Sequence, residues 1–223
     1  MTPMNEADHA KVSAAIAAAE GGTDGEVIAI ITERSDSYHD VGLHYAVAVL
    51  FLVLAVFTAW PGLLEDMWTW AMGWTVPPGL QQLLLMLLGL GLLVFLIALF
   101  AMRWMPLRLA LTPAATKTRR VRRRAVMLFK AAAERRTVGR TGVLIYLSMA
   151  EHRAEIIGDD AITAGTTPET WGEAMVDLLA GIKADDTAGG IVAAVGSIGG
   201  VLAEHFPKDG DDVNEIPDKL IEL

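Results

Sequence analysis

Apolar positions in this chain follow two patterns. Over 45–64 and again over 79–102 no side chain ionises. A hydrocarbon core of about 30 Å needs roughly 20 helical residues, so both stretches predict transmembrane helices, with 65–78 as the loop between them. Elsewhere the runs are short. Glu26-Val-Ile-Ala-Ile-Ile-Thr32 and Gly142-Val-Leu-Ile-Tyr-Leu-Ser148 are continuous apolar segments of strand length, which suits strands covered on both faces. After the short Met149-Ala150 link, 151–157 is of mixed polarity. It predicts a hairpin partner of the second strand, near a sheet edge because Glu151, Arg153 and Glu155 would share one face.

Helical spacing governs the remainder. Residues 5–20 form an Ala-rich helix that Asn5 can cap and Gly21-Gly22 stops. Ser35-Asp-Ser-Tyr38 reads as a cap before a helix continuing into the first span. Residues 113–136 predict a helix with a basic face, broken over 138–142. Thr167-Pro168-Glu169 starts a helix whose stripe of Trp171, Met175, Leu178, Leu179 and Ile182 runs to Lys183. The last helix, 187–205, is apolar and rich in glycine. It reads as a buried helix of a soluble unit, with a third span as the alternative. One helix and one strand before the spans cannot bury a core. The expected fold class is therefore α/β: a small sandwich made of 1–44 and 125–223, interrupted by a two-helix transmembrane hairpin, with 103–124 as a basic juxtamembrane segment.

Charge changes the picture by giving the hairpin a direction. The net charge is -9, yet residues 103–140 hold twelve of the eighteen Lys and Arg, while the loop 65–78 holds Glu65 and Asp66 and no base. Basic segments stay on the cytoplasmic side, so the loop should face out and both termini in. Trp60, Trp68, Trp70 and Trp74 near the loop and Trp104 beside Arg103 mark the two edges of the bilayer. The expected location is the inner membrane of a prokaryote, with two spans. Lys117, Arg119, Arg120, Arg122, Arg123 and Arg124 would lie against anionic headgroups, each contributing about 1 kcal/mol. Without interleaved aromatics that run does not predict nucleic-acid binding. No apolar core precedes the first span, so no cleavable signal is expected. Absence of cysteine removes disulfides, thiolate metal sites and a thiol nucleophile.

Several short segments, taken in order, resemble one family: Thr23-Asp-Gly-Glu-Val27, Ser35-Asp-Ser-Tyr38, Thr141-Gly-Val-Leu-Ile-Tyr-Leu-Ser-Met-Ala-Glu-His-Arg153 with Ile156-Ile-Gly-Asp159, His205-Phe-Pro207 and Asn214-Glu-Ile-Pro-Asp218. Together they resemble the TPM domain family, in particular its short prokaryotic membrane branch with a transmembrane hairpin inside the domain. The resemblance implies a cytoplasmic α/β/α TPM-like sandwich. Relatives have diverse roles, including a reported acid phosphatase linked to photosystem repair and an accessory protein of ligand-gated channels, and some TPM domains bind divalent cations. Such breadth selects no single function.

Candidate chemistry lies at the strand ends. Asp159 and Asp160 follow Gly158, Glu155 lies on the same strand, and Asp24 and Glu26 begin the first strand. Hard cations such as Ca²⁺ or Mg²⁺ take several oxygen ligands, and adjacent carboxylates repel unless a positive charge lies between them. The competing reading has Asp160 capping the next turn and Asp159 solvated. Asp209-Gly-Asp211 has nucleophile spacing but no preceding apolar strand, so a solvated tail is expected. His44 and His152 read as interfacial and surface residues, and His205 as a favourable cation at a helix C-terminus. The function expected from all this is a membrane-anchored module that interacts with other membrane proteins, with a divalent cation as regulator. The alternative is a cation-assisted phosphatase at the cytoplasmic surface.

Overall fold

The computed structural model describes residues 4–73, 77–132, 141–208 and 219–223. The chain is mixed α/β and divides into two compact units, one of residues 1–36 with 114–223 and one of residues 37–113. In chain order the elements are α1 (Glu6–Glu20), β1 (Glu26–Thr32), α2 (His39–Ala59), α3 (Gly62–Met72), α4 (Leu80–Ala101), α5 (Met105–Leu111) and α6 (Ala114–Ala132). They continue with β2 (Gly142–Ser148), β3 (Arg153–Gly158), α7 (Asp160–Gly165), α8 (Gly172–Lys183), α9 (Thr187–His205) and β4 (Ile221–Glu222).

In the first unit β1 and β2 pair in parallel, from Glu26 opposite Gly142 to Thr32 opposite Ser148. Every residue of both strands is buried, as continuous apolar runs require when helices cover both faces. Antiparallel β3 lies at one edge and is half-buried, and β4 pairs in parallel with β1 at the other, giving the order β3-β2-β1-β4. Alternation divides the sheet's side chains between two cores. Val27, Ala29, Ile31, Val143, Ile145 and Leu147 meet α1, α8 and α9, while Ile28, Ile30, Leu144 and Tyr146 meet Val121, Ala125 and Phe129 of α6.

Parallel strands need a crossover of a dozen or more residues. Here the β1-to-β2 connection includes both residues 37–113 and α6. The basic run 117–124 belongs to α6 and hence to the α/β unit, so the unit resumes at Ala114 rather than at residue 125. A helix turns about 100° per residue, which lets consecutive cations surround the small apolar positions that meet the sheet.

Local chemistry accounts for the boundaries. Asn5 and Asp8 form a reciprocal capping box, with Asp8 N–H donating to Asn5 Oδ1 at 2.9 Å and Asn5 N–H to Asp8 Oδ2 at 3.2 Å. Pro168–Trp171 is a 3₁₀ turn that leads into α8. Glu151 belongs to the turn before β3 and not to the strand, and His152 has positive φ there. Strand β4 lies beyond the polar tail; that tail, over 209–218, falls outside the described residues, as do Trp74 and the predicted break over 138–140.

Helix α9 carries eight buried residues, and its glycines permit close helix contacts. A Cβ on Gly181 of α8 would lie 2.3 Å from Gly190 Cα, and one on Gly199 would lie 2.7 Å from Ala19 Cβ. Packing of this kind places α9 in the core of the α/β unit, as expected of a buried helix.

In the second unit α2 and α4 pack together, and a Cβ on Gly91 would lie 3.0 Å from Leu50 Cδ1. Their outer faces expose Phe51, Leu52, Leu88, Leu92 and Phe100, each by more than half. An apolar surface of that extent marks contact with lipid or protein rather than water. By length and composition α2, α4 and α9 are all apolar enough to cross a membrane. The predicted cap at 35–38 is not formed: Tyr38 precedes α2 in the left-handed region with φ 52° and makes no side-chain cap. Helix α2 starts at His39 and stops at Ala59, before Trp60-Pro61. The predicted loop instead contains α3, with Trp60 and Trp70 exposed.

Candidate functional site

Strand direction brings some of the predicted acids together. The starts of β1 and β2 lie beside the end of antiparallel β3. There Thr141 Oγ1 donates to Asp24 O at 2.8 Å, Glu26 N–H to Thr141 O at 3.2 Å, and Asp159 N–H to Gly142 O at 2.9 Å. Asp24, Glu26 and Asp159 therefore share one end of the sheet, with Thr141 between them. Glu155 is not with them. It sits mid-strand opposite Tyr146 on the α6 face, with Arg122 Nη1 at 3.8 Å from its carboxylate. Burial pushes its carboxyl above the ordinary range, against the pull of Arg122 and Arg153.

The acidic pair behaves as a cap, with the two roles opposite to those expected. Asp159 is buried and precedes α7, and its Oδ1 accepts Asp160 N–H at 2.7 Å; Asp160 is the exposed residue, in the first turn. Gly158 is required beside them, since a Cβ there would lie 2.6 Å from Ile162 Cγ2. Among the described residues no three His, Asp or Glu side chains gather in a group that could hold a metal ion. The set Asp24, Glu26, Glu155, Asp159 and Asp160 is thus spread out: Glu155 shares the α6 face with Glu26 but lies mid-strand, opposite Tyr146 rather than at the strand end, and capping engages Asp159.

The other end of the strands carries a polar network that sequence reasoning missed. Ser35 N–H donates to Glu151 Oε1 at 3.0 Å, and Ser35 Oγ lies 2.9 Å from Tyr146 Oη and 2.8 Å from Ser148 Oγ. Ser148 Oγ in turn donates to Glu151 Oε2 at 2.5 Å. Glu151 and Ser148 are buried, and burial raises the Tyr146 phenol above its usual value despite the hydrogen bond with Ser35 and the charge of Arg124. The one sequence signal was an Ser-Asp-Ser segment next to two buried strand ends. The network anchors the chain immediately before it leaves the α/β unit at Asp36.

On α6 the six predicted surface cations separate. Arg120 pairs with Asp36 at 3.2 Å, Arg124 and Lys117 are half-buried, and Arg119, Arg122 and Arg123 are exposed. These last three border an open hollow with Ala115, Thr118 and Val126. The outward cationic face is therefore narrower than the sequence run, because Val121, Ala125 and Phe129 orient the helix on the sheet.

No family profile matches the chain, and no curated protein matches it. Among solved structures it is similar to the NMR structure of the BA42 protein from the psychrophilic bacterium Bizionia argentinensis. The two are 16% identical, the match covers 100% of this chain and 97% of that one, and the TM-score is 0.57. At that identity the likeness is one of fold.

Proposed function

We propose that this chain is a membrane-anchored interaction module of the TPM type, with its α/β unit a cytoplasmic TPM-like α/β/α sandwich into which a two-span hairpin is inserted. One observation carries the reading. The chain leaves a complete α/β core after Asp36 and returns at Ala114, and between them lie two helices long and apolar enough to cross a bilayer. The basic segment on the return side supports both termini inside by the positive-inside rule, and the reading puts the chain in the inner membrane of a prokaryote. The TPM assignment rests on the ordered motifs. The acidic domain, held at the surface by the hairpin and by Arg119, Arg122 and Arg123, is available to neighbouring membrane proteins. A divalent cation, Ca²⁺ or Mg²⁺, is part of this reading as a regulator, and since Asp24, Glu26, Glu155, Asp159 and Asp160 do not gather into a metal-holding group, binding would require them to rearrange. The phosphatase alternative asks for convergent carboxylates beside a cleft, and the capping role of Asp159 does not favour it.

The test places a photocrosslinking amino acid at Val176, which is 66% exposed on α8, in native membranes. A discrete adduct with another membrane protein supports the module. Phosphomonoester turnover by the purified chain, abolished by Asp159→Ala and unaccompanied by an adduct, overturns it in favour of the enzyme. Calorimetric titration with Ca²⁺ and Mg²⁺, beside an Asp159→Ala/Asp160→Ala variant, tests the regulator separately.

A further inference from the structure

Within the 37–113 unit, the first turn of α2 and the last turn of α4 border a cleft of about 620 Å³, lined by His39, Gly42, Leu43, Leu99, Phe100, Met102, Arg103 and Arg108. Arg108, on α5, is only 7% exposed. Its Nη1 donates to Ser37 O at 2.5 Å and lies 3.2 Å from His39 Nδ1, and its Nη2 donates to Arg103 O at 3.0 Å. Its Nε is buried and has no hydrogen-bond partner. Arg103 is exposed beside it, with its guanidinium 6.0 Å from the centroid of the Phe100 ring. Among the described residues neither arginine pairs with a carboxylate, and Asp40, the acid in the first turn of α2, does not line the cleft.

A buried guanidinium without a counter-ion is costly, and two arginines that share a cleft repel unless an anion joins them. Gly42 lies at the close approach of α2 to the end of α4: a Cβ there would be only 3.1 Å from Met102 Cβ, while Arg108 Cδ, at 3.8 Å, would be in ordinary contact. Tyr45 Oη donates to Leu111 O at 2.8 Å, which ties α5 to α2 and holds Arg108 in position. The other wall is apolar. Leu43 and Phe100 are 51% and 74% exposed and lie on the two helices assigned to the bilayer, and Trp104 beside them is 67% exposed, as suits the headgroup level.

We propose that this cleft binds one anionic glycerophospholipid, with its phosphodiester between Arg103 and Arg108 and an acyl chain along Leu43, Leu99 and Phe100. Arginine suits this role because its planar fork binds two phosphate oxygens at once. The apolar wall selects a lipid over free phosphate, which would leave those side chains without a partner. The inference rests on the reading of α2 and α4 as membrane spans.

The full chain, delipidated in a zwitterionic detergent, is titrated with phosphatidylglycerol and with phosphatidylcholine of the same acyl chains, and bound lipid is counted by native mass spectrometry. One phosphatidylglycerol should bind, about tenfold more tightly than phosphatidylcholine, because the two share the phosphodiester but the choline cation is repelled by the paired arginines. Arg103→Gln, at an exposed position, should remove most of that preference without loss of thermal stability, and Arg108→Gln should abolish it. Equal binding of the two lipids, or an unchanged preference in Arg103→Gln, overturns the site. Displacement by millimolar inorganic phosphate alone overturns the assignment to lipid. A chain that stays monodisperse without detergent would instead refute the membrane reading beneath it, whereas a chain that needs detergent and binds both lipids alike refutes the cleft only.

Discussion

Replacing Leu202 by Ala tests whether α9 belongs to the core or to lipid. Leu202 is fully buried, and its methyl groups lie where a side chain on Gly25 would be, with a Cβ there only 2.9 Å from Leu202 Cδ1. Truncating such a leucine removes its transfer free energy and leaves a cavity, a loss of about 3 kcal/mol or more. Total stability is typically about 5–15 kcal/mol, so the loss is a large fraction of it. With a urea slope of about 1.5–2 kcal/mol/M, the midpoint should fall by about 1.5–2 M. Pulse proteolysis of the detergent-solubilised full chain in urea reads that midpoint as protection of the α/β unit. Leu92→Ala is the matched control, because Leu92 is 56% exposed on α4 and its truncation leaves the α/β core untouched. A shift below about 0.5 M for Leu202→Ala, or equal shifts for the two variants, would refute the packing argument, since a lipid-facing leucine loses little on truncation in a micelle.

Ser148→Ala should cost about 1–3 kcal/mol in the same assay, because it takes a donor from the buried Glu151 carboxylate. Asp159→Ala should cost about 1 kcal/mol through loss of the α7 cap, while Asp160→Ala should stay within about 0.5 kcal/mol; the reverse order would restore the expected assignment of roles. Because burial holds Glu155 above its ordinary pKa, its contribution to stability is present below the unfolded value and is lost as pH rises through the folded one. Glu155→Gln should therefore gain on the parent protein as pH rises from about 4 to 7, measured as the difference in thermal midpoint, and a pH-independent difference would contradict this.

Both central strands were legible to the residue, because Val27–Ile31 and Val143–Leu147 are continuous apolar runs ended by Glu26, Thr32, Gly142 and Ser148. Helix α9 packs in the core of the α/β unit while its composition also suits a span, because glycines at close helix contacts serve soluble cores and membrane bundles alike. The turn at Glu151 was hidden: its charge continued the alternation of β3, and only the tertiary bonds to Ser35 and Ser148 withdraw it from the strand. Strand β4 has two residues and no period to detect. The carboxylate set misled because proximity in sequence does not report position along a sheet: Glu155 sits opposite Tyr146 in mid-strand, while Asp159 closes a turn. Arg108 looked like one more base of the juxtamembrane segment, and its burial follows from tertiary bonds to Ser37 O and Arg103 O that the sequence does not mark.

The central claim is that an inside α/β unit is anchored by an outward hairpin, and the absence of native cysteine permits a direct test. Asp66→Cys and Glu173→Cys, both at exposed positions, would be treated with a membrane-impermeant maleimide in intact spheroplasts and again after permeabilisation. The account predicts labelling of Asp66→Cys in both states and of Glu173→Cys only after permeabilisation. Labelling of Glu173→Cys in intact spheroplasts, or protection of Asp66→Cys until permeabilisation, would contradict it.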